Sequence, residues 1–129
     1  MKKLVLPLVA VAAVSFCLKF ASAADESGKT EQVKGVLIDD HCAAKMMKQD
    51  NPQAAAEKHK VSCANKCIKD DGASVVLISG KDELKLDSKG QELAKDFLSS
   101  HKKADVVVTG EKSGDELKVT EINAAPAKG

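Results

Sequence analysis

Apolar positions along the chain fall into short runs of two kinds. Val33, Gly35, Val36, Leu37 and Ile38 form a first run that is almost continuously apolar at its end, and it predicts a strand. Residues 74–79, with Val75, Val76, Leu77 and Ile78, predict a buried strand. Gly80-Lys81-Asp82 then predicts a tight turn, and residues 83–87 alternate with Leu84 and Leu86 inward, completing a hairpin. The period changes in residues 88–101, where Leu93, Ala94, Phe97 and Leu98 recur at helical spacing. Val106, Val107 and Val108 mark a strand over 105–110, and Ser113-Gly114-Asp115 turns the chain. Residues 116–122 alternate through Leu117 and Val119 and reach Ile122 after one slip.

Between the first two runs the pattern is helical. Asp39-Asp40 closes the first strand, and its carboxylates can cap the next helix or serve as ligands. Residues 42–49 predict a short helix. Asn51-Pro52 restarts one, with Asn as cap and Pro at the first helical position. Residues 53–70 are rich in Ala and Lys and lack Gly and Pro, so one continuous helix is expected, ended by Asp70-Asp71-Gly72.

The order is strand, helical insertion, strand, strand, helix, strand, strand. Without the insertion it is the order of a five-stranded OB-type barrel, with one helix between strands three and four. The expected fold is therefore α+β. It is a small OB-like domain over 33–122 with a Cys-bearing helical insertion at 40–72, a flexible lead-in at 24–32 and a flexible tail at 123–129. An open α+β sheet is the alternative. The expected core is Val36, Ile38, Val76, Ile78, Leu84, Leu86, Val107 and Val119, roofed by Phe97.

The first residues change the picture of composition. Met1-Lys2-Lys3, an apolar run over 4–18 and Ala21-Ser22-Ala23 make the three-part pattern of a signal peptide, residues 1–23. The run is shorter than the roughly 20 residues of a membrane span, so no stable membrane insertion is expected after cleavage. Phe16 precedes Cys17, which does not suit a lipoprotein, and Cys17 is expected to leave with the leader. The expected location is exported, periplasmic or secreted. Without Lys2, Lys3 and Lys19, 17 basic residues face 19 acidic ones, a net charge of −2. There is no Arg, and Phe97 is the only aromatic left. A nucleic-acid binder usually shows a basic face and stacking aromatics, so that partner is not expected.

The remaining cysteines gather with two histidines in one stretch. His59, Cys63 and Cys67 are spaced i, i+4, i+8 and would form one stripe on a continuous helix. With Cys42 they make a Cys3His set, a proper ligand count for tetrahedral zinc. Asp39, His41 and Met46 are additional candidates. A thioether from Met46 or Met47 would tilt preference toward Cu(I). The competing reading is a disulfide of Cys42 with Cys63 or Cys67, closing a loop of about 20 residues and contributing roughly 3 kcal/mol. Three cysteines cannot all pair within one chain, so a free thiol would remain, open to dimerisation or redox chemistry. No Ser/His/Asp signature, phosphate loop or paired-carboxylate arrangement is legible, and no enzymatic reaction is assigned. The two function classes are a Zn- or Cu-binding exported protein and a disulfide-braced binding module with one free thiol, or a thiol redox protein.

Val33-Lys34-Gly35-Val36-Leu37-Ile38-Asp39-x-x-Cys42, followed by His59-x3-Cys63-Ala64-x-x-Cys67, Gly72, a Val-rich strand and Val106-Val107-Val108-Thr109-Gly110, resembles a family of small exported bacterial proteins, mostly uncharacterised, with an OB-like barrel. The resemblance covers about 33–122 and implies Asp39, Cys42, His59, Cys63 and Cys67 as the shared site, with no known reaction. The long insert over 48–58 departs from that pattern and shifts Cys42 relative to His59.

Overall fold

A computed structural model describes residues 29–127; the leader, its cleavage site and Cys17 lie outside the described residues. Five strands close into a barrel. They are β1 (Thr30–Asp39), β2 (Val75–Ser79), β3 (Asp82–Leu86), β4 (Asp105–Ser113) and β5 (Glu116–Ala124), in the order β1-β2-β3-β5-β4. The ring is shut by β4 on β1 and by a parallel contact of β3 with β5. This is the small OB-like α+β barrel that the element order implies, and closure removes the free sheet edges of the open alternative.

Strand β1 is long because it serves two neighbours. Its first part pairs with β4, Val33 opposite Val108, and its last part pairs with β2, Ile38 opposite Val76. It begins at Thr30 and not at Val33, since residues 30–32 pair with β4. At the other end, Asn123 and Ala124 extend β5 opposite Val107 and Val106, so part of the expected loose tail belongs to the sheet.

The core follows from which faces are covered. Val36 to Asp39 and Val75 to Ile78 are buried at every position, so the continuous apolar runs have helices outside and barrel inside. Strand β4 alternates instead. Val106 and Val108 are buried and Val107 is only half-buried, which corrects the expected core by one position. A run of three valines carries no phase, and a slip of one residue exchanges the faces. The other expected core residues are buried, including Phe97. The slip before Ile122 is a β-bulge. Thr109 pairs with Glu121 and Gly110 with Val119, leaving Thr120 over. The Thr120 hydroxyl donates to the Thr109 carbonyl at 3.0 Å.

Two glycines mark close backbone approaches. A Cβ on Gly35 would meet the carbonyl oxygen of Ile78 and come within 2.9 Å of Leu77 Cδ1, where β1 passes from β4 to β2. A Cβ on Gly110 would strike the Lys118 carbonyl oxygen beside the bulge. Backbone cannot give way as a flexible side chain can. Gly35→Ala is therefore expected to destabilise by roughly 1–3 kcal/mol, the usual range for overpacking, read as a lower urea midpoint. An unchanged midpoint would mean that the barrel relaxes at this seam.

The helices pack on the outside of the barrel, the insertion against β1 and β2 and the last helix against β2, β3 and β5. α1 (Asp40–Met46), α2 (Pro52–Glu57) and α3 (Val61–Asp70) form the insertion, and α4 (Ser88–Ser100) joins β3 to β4. Asp87 caps α4 through Gly90 N–H at 2.9 Å and also accepts from Val119 N–H at 3.1 Å, fixing the helix to β5. The Gln91 side chain donates to the Val75 carbonyl at 2.7 Å and accepts from the Val75 N–H at 2.8 Å, tying α4 to the start of β2. Asn65 donates to the Leu98 carbonyl at 2.8 Å, joining α3 to α4.

The insertion differs from expectation in one decisive way. Residues 53–70 do not form one helix; the chain breaks between α2 and α3, with Lys60 extended at φ −76° and ψ 129°. Helix propensity over this stretch is high, yet Ala56 and Ala64 are both buried against the domain. A straight rod of that length would leave the curved barrel surface. Burying both ends requires a bend, and tertiary packing outweighs propensity.

Candidate metal centre

The centre begins with the last residue of β1. Asp39 follows three apolar residues that are fully enclosed, and it is 0% exposed. Its Oδ1 accepts the Cys42 N–H at 2.9 Å, capping α1. Its Oδ2 is buried and has no hydrogen-bond partner. Asp39 takes part in neither the His41–Asp40 nor the Lys85–Asp115 ion pair. A buried carboxylate with one lone oxygen is costly unless a cation or a shared proton offsets it.

Cys42 stands one turn into α1 and is half-buried against the core. His59 stands at the break that follows α2, its N–H donating to the Ala56 carbonyl at 2.9 Å. The break brings its ring to the barrel. One ligand atom each from Asp39, Cys42 and His59 lie within 4.8 Å of one another. Around a tetrahedral zinc such atoms are about 3.3–3.7 Å apart, so a contraction of the set would close it on an ion. Carboxylate oxygen, thiolate sulfur and imidazole nitrogen are all zinc ligands.

Cys67 borders this group from α3. The Cys42 thiol is pushed up to about 11, first by burial, then by the negative charge of Asp39 and a hydrogen bond to that carboxylate, with a smaller push from Cys67 and an opposing pull from Lys45. The Cys67 thiol is also raised, first by burial and then by Asp39 and Asp71. Asp39 thus faces two thiols and disfavours the ionisation of both. A cation there would reverse this, since metal binding removes the thiol proton.

These shifts predict a pH dependence for the metal-free protein. The folded state holds the Cys42 proton more tightly than the unfolded chain does. That stabilisation is fully present below the ordinary thiol range near 9.0 and is lost as pH rises toward about 11. The urea midpoint of the apo protein should fall across this window, and Cys42→Ala should flatten the fall. A wild-type midpoint rising there would contradict the described surroundings of Cys42.

Two of the remaining candidates, Cys63 and His41, are exposed. Cys63 is exposed, because the break at Lys60 removes the common helix face on which the His59, Cys63 and Cys67 stripe depended. Of the Cys3His set, Cys42 and His59 lie together with Asp39, and Cys67 borders that trio. Cys42, Cys63 and Cys67 are free thiols, so neither expected disulfide is formed. His41 lies in the first turn of α1, exposed and 3.8 Å from Asp40. Met46 packs against the core and its sulfur accepts weakly from Gln49 Nε2 at 3.8 Å, while Met47 packs likewise. Asp39 had a signal in the sequence, a charge closing a fully apolar strand run, but that signal reads equally well as a cap. It is both.

Compared with models of known protein families, with curated proteins and with solved structures, the chain matches none.

Proposed function

We propose that this protein binds one transition-metal ion, zinc in the first place, through Asp39, Cys42 and His59, with Cys67 completing the set. The observation that carries this is a fully buried Asp39 carboxylate, one of its oxygens unpartnered, beside a thiol and an imidazole. The ion would supply the cation that the carboxylate otherwise lacks and would draw the Cys42 and Cys67 thiols into thiolates. A mixed oxygen, nitrogen and sulfur set suits zinc better than Cu(I), which prefers sulfur throughout. Four protein ligands would make a closed site, whose contribution is stability and metal retention and not chemistry at an open position. The leader pattern would place this binding outside the cytoplasm.

A second reading is thiol redox activity, favoured by the neighbouring Cys42 and Cys67. Their raised thiols speak against it, since the thiolate is the reactive form.

Native mass spectrometry of the apo protein titrated with Zn(II) tests the proposal. One ion per chain is expected, and Co(II) in its place should give sulfur-to-metal charge-transfer absorption. Alkylation of the loaded protein should then reach Cys63 and spare Cys42 and Cys67. Failure to retain any ion, or a native protein that is two hydrogens lighter than the reduced chain, would overturn the metal reading.

A further inference from the structure

His59 faces in two directions. It belongs to the trio around the buried Asp39, and it also lines an open groove of about 840 Å3 on the outside of the insertion. Met46 from α1 and Cys63 from α3 line the same groove. Cys63 is exposed and free. A single exposed thiol would carry no argument, and a methionine is more often packing than ligand. Here a thiol, a thioether and an imidazole share one groove, and the imidazole also belongs to a set with a buried, unpartnered carboxylate oxygen.

We propose that this groove is the port through which the ion reaches and leaves the centre, with Cys63 and Met46 as its first ligands and His59 as the ligand common to both stations. The inference rests on the centre binding metal. A port must hold Zn(II) more weakly than the site it feeds. Exchanging a carboxylate and a thiolate for one soft thioether achieves that, because thioethers are poor zinc ligands. The transfer balances without a co-reactant. The bonds from zinc to Cys63 Sγ and Met46 Sδ would break as bonds to Asp39, Cys42 and Cys67 form, with the imidazole of His59 staying bound. The Cys63 thiolate would regain one proton while the Cys42 and Cys67 thiols give up two, so one proton would pass to solvent. Zinc remains Zn(II) throughout.

Stopped-flow transfer of Zn(II) from a chromophoric chelator to the apo protein tests the port, with the loaded stoichiometry read separately by native mass spectrometry. Cys63→Ser should slow uptake by about tenfold, the size of a lost supporting contact to a metal, while still taking one ion at saturation. Met46→Leu should slow uptake less, in the same direction. Cys42→Ser should instead lose the bound ion, which reports on the centre alone. A Cys63→Ser rate equal to wild type overturns the port and leaves the centre standing. Loss of the ion in Cys63→Ser also overturns it, by making Cys63 a resident ligand. No uptake by the wild-type protein defeats centre and port together.

Discussion

Asp39→Asn is expected to abolish stoichiometric zinc binding while leaving the apo protein at least as stable as the wild type. The two effects come from the two oxygens. Oδ1 caps α1 through Cys42 N–H at 2.9 Å, and an Asn side-chain oxygen can keep that bond. Oδ2 is the buried oxygen with nothing to bind. Replacing it removes a charge from a dry place, which relieves a cost, and it removes the only anionic oxygen ligand of the trio. Affinity should fall by at least about 100-fold, the upper end for loss of an outer-shell partner and a lower bound for a ligand. The Cys42 thiol should also move down from about 11, because the Asp39 charge helps to hold it there. Calorimetric zinc titration and apo urea curves measure the two halves. Zinc held at wild-type affinity would remove Asp39 from the centre. A marked loss of apo stability would mean that the carboxylate is satisfied by the fold itself.

Phe97→Ala should cost roughly 3–5 kcal/mol, the range for deleting a buried aromatic. Phe97 is 8% exposed on the inner face of α4, and its other face stacks on His101 at a centroid distance of 3.9 Å. A domain of this size has about 5–15 kcal/mol in all, so the variant should melt far below the wild type or remain unfolded at room temperature. Thermal and urea unfolding measure it. Phe97→Leu should recover most of the loss, because it restores apolar volume to the same position. A small effect from Phe97→Ala would mean that the α4 face closes over the gap.

The barrel was legible because its signals are local and two-fold. Alternation placed Leu84, Leu86, Leu117 and Val119, glycines at positive φ marked Gly72, Gly80 and Gly114 as turns, and the slip before Ile122 announced the bulge. Val107 was misplaced because three identical residues carry no phase, and the flanking Asp105 and Thr109 are half-buried in the same way as Val107. The centre was legible in its membership and not in its geometry. Cys42 and His59 were among the expected ligands, but their partners depended on a helix running straight through Lys60. Propensity reads only the chain's own preference, and the bend at Lys60 comes from the surface beneath it. The bend at Lys60 leaves Cys63 outside the close set, while Asp39, an additional candidate from the sequence, lies inside it.

The two ways in which β1 is engaged have a consequence for the order of events as the chain folds. Barrel closure requires Val33 to find Val108, far along the chain. The ligands lie much closer together in sequence, all between Asp39 and Cys67. Loop-closure entropy grows with separation, and distant pairings form late. A chain that meets the proposed ion as it folds would gather its insertion around it while the sheet is still open. The last strands would then close on a segment whose shape the ion had already set.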